Sequence, residues 1–112
     1  MMNKPTVSGG ELLEYIQDLH QAGWEGVPYQ DREAILEYPQ WVLVKARIQD
    51  LKAGSHHPPV ATEYSKRKTN LPPIVVNDEG FILDGVHRYH AAKLRKQKMI
   101  LAYVPSHSSG LR

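Results

Sequence analysis

Asp84-Gly85-Val86-His87-Arg88 joins a short apolar run, Phe81-Ile82-Leu83, to a stretch with helical spacing that begins at Val86. A strand that turns straight into a helix leaves the first helical N–H groups without intrahelical acceptors. Those donors, with the positive end of the helix dipole, form an anion site. Gly85 allows the tight turn and a close backbone approach. His87 and Arg88 add two basic side chains where helices ordinarily carry Asp or Glu. Such a turn calls for a negative partner, and a phosphate is the natural candidate. The same residues also admit plainer roles, with Asp84 as an N-cap, His87 bonded to a carbonyl and Arg88 paired with Asp78 or Glu79.

The flanking sequence predicts a small α/β (α+β) domain: a mixed sheet with packed helices, preceded by a helical arm. Apolar positions 12, 15, 16 and 19 repeat at helical spacing over 11–22, with Gly23 as a stop. Asp31 caps a second short helix ended by Pro39. Residues 1–40 read as this N-terminal helical extension, with 1–8 a loose start. Residues 41–48 form the clearest strand. A loop over 54–59 precedes a helix over 61–69 that carries Lys66-Arg67-Lys68. Leu71-Pro72-Pro73 then feeds the apolar strand Ile74–Val76, and a hairpin over 77–80 returns the chain through 81–83. A helix from Val86 to Gln97 and a strand over 99–104 complete the domain, residues 41–104, before a flexible tail over 105–112.

Composition narrows the chemistry. With no cysteine among its 112 residues, the chain has no disulfide, thiolate metal site or cysteine nucleophile. A net charge of +2 does not demand a polyanion, but its basic residues crowd the second half, which suits a local anionic ligand. With no leader-like segment or membrane-length apolar run, a cytoplasmic protein is expected. His56, His57, His87 and His90 raise the question of a metal, but their spacing fits no common site, and none is expected.

Taken in order, Leu71–Val76, the hairpin, Asp84–Tyr89, Ala91-Ala92 and Ile100–Val104 resemble the ParB/sulfiredoxin superfamily, with Val44–Leu51 similar to its opening strand. The resemblance covers 41–104 and implies nucleotide binding at the 84–88 turn. The cysteine that carries sulfiredoxin chemistry corresponds to Val86, so sulfinic acid reduction is not expected. The Gly-Glu-Arg-Arg of the CTP-binding partition branch is also absent. The Asp-Gly-His-His-Arg of the free-serine kinases differs only at Val86.

The resemblance therefore implies ATP or ADP, with Mg²⁺ held through the phosphates, and phosphotransfer to a small hydroxyl-bearing acceptor or hydrolysis. Gly85, Val86, His87 and Arg88 would bind phosphate, Arg88 as a bidentate clamp, with Lys66 reaching in from the neighbouring helix. Asp84 and His87 would be the catalytic groups. The rival reading is a DNA- or protein-binding module of partition or phage type, with nucleotide as a switch, in which Lys66–Lys68 contact DNA.

Overall fold

The computed structural model describes residues 4–24 and 32–106; the expected Asp31 cap and most of the 105–112 tail lie outside these. The architecture is a mixed α+β domain built on a five-stranded mixed sheet. Its elements are β1 (Thr6–Ser8), α1 (Gly9–Gln21), α2 (Arg32–Leu36), β2 (Gln40–Arg47), a 3-10 turn (Ile48–Asp50), α3 (Pro58–Ser65), β3 (Ile74–Val76), β4 (Ile82–Asp84), α4 (Val86–Leu94) and β5 (Met99–Pro105). The strand order is β1-β2-β5-β3-β4, so the last strand in sequence is central in space. β5 runs antiparallel to β2, with Val44 opposite Ala102, and parallel to β3, with Val75 opposite Tyr103.

The period-two alternation of strand side chains divides the core between the two faces of the sheet. Ile74, Val76, Ile100 and Ala102 pack with Tyr64 of α3 and Tyr89, Ala91 and Ala92 of α4. Val75 and Tyr103 pack in the second cluster with Trp41, Leu12 and Ile16 of α1, and Ile35 of α2. Trp41 is fully buried, and its indole Nε1–H donates to the Ile35 carbonyl at 3.1 Å.

The predicted N-terminal arm is more closely integrated than an extension ahead of the domain. β1 adds an edge strand to β2, pairing Val7 with Trp41. α1 then covers one sheet face, and Leu19 near its end joins the other cluster. The loose start expected over 1–8 thus includes a strand too short for its side-chain alternation to signal.

The start of α1 lies at Gly9 rather than Glu11. Ser8 Oγ accepts from the Glu11 N–H, and the Glu11 carboxylate accepts from the Ser8 N–H, a reciprocal capping box. α3 also begins earlier than expected. Pro58 and Pro59 occupy its first positions, where a fixed φ suits the helix and no N–H is needed. Its end moves back as well, leaving Lys66 at the C-cap and Arg67 and Lys68 beyond the helix. β4 is Ile82–Asp84, one residue later than the predicted 81–83, because Phe81 instead bridges to Lys52.

α1 and α4 close with the same C-terminal geometry but different residues. After α1, Gly23 has φ +87°, its N–H donates to the His20 carbonyl, and the Trp24 N–H donates to Leu19. After α4, Lys96 has φ +62°, its N–H donates to Lys93, and the Gln97 N–H donates to Ala92. Both are Schellman closures, which favour glycine at the left-handed position. A lysine there carries a steric cost of about 1 kcal/mol. Lys96→Gly is therefore expected to raise unfolding stability by about that amount, read as a higher urea midpoint with unchanged denaturant slope.

Candidate functional site

The turn between β4 and α4 admits only glycine at position 85. Gly85 has φ +104°, and a Cβ placed there would lie 2.5 Å from Ile74 Cγ2 and 2.9 Å from the Arg88 guanidinium. Gly85 is also the N-cap of α4 and supplies no side-chain bond. The plainer expectation of Asp84 as the cap is therefore not met.

Asp84 instead forms a buried ion pair with Arg88, Oδ2 to Nη2 at 2.6 Å, with relative exposures of 6 % and 0 %. Arg88 Nη1 also donates to the carbonyls of Pro72 at 3.1 Å and Pro73 at 2.5 Å. The Tyr15 hydroxyl donates to the same Pro73 carbonyl at 2.6 Å, tying α1 to the network. Burial pushes the Tyr15 pKa up, against a smaller opposing pull from Arg88, so the phenol remains a neutral donor.

This geometry corrects two expectations. Arg88 was expected to clamp phosphate, but its guanidinium is inside the protein and fastens α4 to the Pro72-Pro73 approach to β3. Asp84 was expected to take a proton or approach Mg²⁺, but it is buried against Arg88. In this conformation neither touches an outside ligand. A sequence can show that the two residues are four apart, but it cannot show that two proline carbonyls wait at that depth.

Contacts along α3 and α4 run in the same order, so the helices lie parallel with their N-termini together. At one end the His57 N–H donates to His87 Nε2 at 2.9 Å. At the other, the Arg95 guanidinium donates to the carbonyls of Tyr64, Ser65 and Arg67. Side-by-side helix dipoles repel. Arg95 offsets the negative ends, whereas neither helix carries an acidic residue in its first turn. The positive ends instead face histidines. The His56 ring stacks on His90 at 3.5 Å between centroids, and His56 and His87 lie edge to face at 6.2 Å. Because His87 Nε2 accepts a hydrogen bond, the imidazole is neutral with its proton on Nδ1.

A hollow of about 250 Å³ opens beside this cluster, lined by His56, Pro58, Thr62, His90 and Lys93. Gly85 and His87 therefore sit at the meeting of the helix ends, with Val86 half-buried beside them. Lys66 does not: it ends α3, about 13 Å along the axis from His57. The cation nearer the cluster is Lys93, which the sequence reading did not select. Arg67 stacks on Trp24 and Tyr64 and pairs with Glu63, leaving Lys66 and Lys68 as the exposed members of the basic triplet.

The donor set at the helix ends suits an anion. Among the described residues no group of three or more His, Cys, Asp or Glu is arranged to hold a metal ion, and none of their helices is long and apolar enough to cross a membrane. Searches against known protein families, curated proteins and solved structures return no match.

Two outcomes follow from this geometry. Arg88→Leu is expected to destabilise the fold by about 3–5 kcal/mol, because it strands a buried carboxylate. Adding Asp84→Leu should recover part of that loss, read as a positive coupling in a double-mutant cycle. His90 provides the pH test. Burial first, then the neighbouring His56, Lys93 and His87, pushes its pKa from 6.5 down to about 4. Between those values the unfolded chain binds more protons than the fold, so stability falls as pH drops through that window. The urea midpoint should decline from pH 7 to pH 4, and His90→Gln should flatten the decline.

Proposed function

We propose that this protein is a ParB/sulfiredoxin-like domain that binds ATP or ADP where α3 and α4 begin, for phosphotransfer or hydrolysis. The observation that carries the reading is the pair of parallel helices whose adjoining N-termini lack any first-turn acid while Arg95 balances their opposite ends. A chain of phosphates supplies the missing negative charge. The strand–glycine–helix order around Gly85 and the resemblance over 41–104 support the same ligand.

Within this reading, the main-chain N–H groups around Gly85, Val86 and His87 donate to phosphate oxygens, and Gly85 lets them come close. His87 exchanges its hydrogen bond from His57 for one to the ligand, donating as the neutral tautomer with its proton on Nε2. An anion at this point favours imidazolium at His90, against the burial and the neighbouring His56, Lys93 and His87 that disfavour it. Asp84 and Arg88 hold the turn rather than the substrate. Of the two catalytic candidates, His87 alone keeps an acid–base role, accepting in its neutral form a proton from an acceptor hydroxyl or a water. Mg²⁺ would be held through the phosphates, since the nearby carboxylate of Asp84 is already committed to Arg88.

Calorimetric titration with ATP, ADP and CTP, each with Mg²⁺, tests the proposal. ATP or ADP is expected to bind, with affinity reduced about tenfold in His87→Gln, the loss of one charge-assisted hydrogen bond. Absence of binding by all three nucleotides ends the reading. Preference for CTP, with salt-sensitive DNA binding lost in Lys66→Gln/Lys68→Gln, selects the partition-type module instead.

A further inference from the structure

A second basic hollow lies away from the helix N-termini. The end of β2, the outer flank of α4 and the start of β5 enclose a groove of about 740 Å³. Arg47, Lys93 and Lys98 stand on its walls, and no carboxylate lines it. Asp50 contacts Arg47 from an exposed position at 3.7 Å. Apolar surface completes the lining: Ile48 and Tyr89 are buried, and Met99 is 38 % exposed.

The walls are held in place. The Ile48 N–H donates to the Lys98 carbonyl at 2.9 Å, and Arg47 sits opposite Met99 in the β2–β5 ladder. The Gln97 side chain donates to the Met99 carbonyl at 3.0 Å. The left-handed turn at Lys96 delivers this segment from α4. Lys93 extends its ammonium over the Tyr89 ring at 5.3 Å.

We infer that this groove is a binding site for a small organic anion, a phosphate or carboxylate borne on an apolar body. Arg47, which also contacts Asp50, stands with Lys93 and Lys98 around one hollow, and an anionic head offsets the net positive charge of its lining. The Ile48, Tyr89 and Met99 surface takes the body, and the volume falls within the range of small-molecule sites. With Tyr89 already buried beneath Lys93, the groove offers no open aromatic platform for the successive bases of a nucleic acid strand. The groove shares Lys93 with the hollow beside the histidines, but of the two only the groove is lined by Arg47, Ile48, Gln49, Lys98 and Met99, so signals from these residues report on it separately from the nucleotide reading.

The test is a set of ¹H–¹⁵N correlation spectra of the full chain, titrated at fixed ionic strength with phenyl phosphate, sodium phosphate and a short single-stranded oligothymidylate. Phenyl phosphate is expected to move the amide signals of Ile48, Gln49, Lys98 and Met99 saturably, with sodium phosphate at least about tenfold weaker. Lys93→Gln/Lys98→Gln should weaken phenyl phosphate by about tenfold or more. Lys66→Gln/Lys68→Gln removes equal charge elsewhere and should leave it unchanged. Both pairs of lysines are exposed, so the fold is retained. Groove signals that stay still, an equal response to sodium phosphate, no effect of the first double variant, or tighter binding of oligothymidylate would each overturn the inference. Nucleotide bound at the start of α4 moves signals over 85–90 instead, so the two readings fail separately.

Discussion

The buried pair of Asp84 and Arg88 is the interaction on which the rest of this structure depends. One guanidinium meets the end of β4 and the two proline carbonyls that lead into β3, while Tyr15 brings α1 to the same carbonyl. The end of β4, the start of α4, the approach to β3 and the distant α1 are thereby fixed around one charge. Desolvating that charge is costly, and hydrogen bonds to several carbonyls together with a carboxylate partner are what make its burial tolerable. The result is a rigid junction directly beneath Gly85, so the start of α4 is held in place without any bond from a ligand.

This junction explains which parts of the site could be read from sequence. The strand–turn–helix at 82–94, the need for glycine at 85 and the basic character of the turn were all visible, because each follows from local spacing and backbone sterics. The direction taken by Arg88 was not. An arginine at the fourth position after an aspartate looks the same whether it faces solvent or the core, and only the packing of Pro72, Pro73 and Tyr15 decides between them. The gathering of His56 and His57 onto His87 and His90 was equally hidden, since it depends on a loop docking across some thirty residues of chain.

The fold was legible to a similar depth. Strong apolar patterns marked β2, β3, β5 and α1, and the hairpin before β4 followed from its turn residues. Errors arose where a local rule had two outcomes. Pro58-Pro59 suits a loop or a helix start, and the free end of the following helix selected the latter. β1 is three residues long, too short for its pattern to stand out, and only the open edge of β2 makes it a strand.

The place of β5 in the sheet carries a consequence for how the molecule comes into being. Met99–Pro105 joins β2 on one side and β3 on the other, so the two halves of the sheet have no shared neighbour until this segment arrives. A nascent chain emerging from the ribosome can form α1 and the 74–84 hairpin early, but each would keep apolar surface uncovered. Folding of this domain therefore waits on translation through Pro105, and the interval before that is when the chain relies most on protection from aggregation.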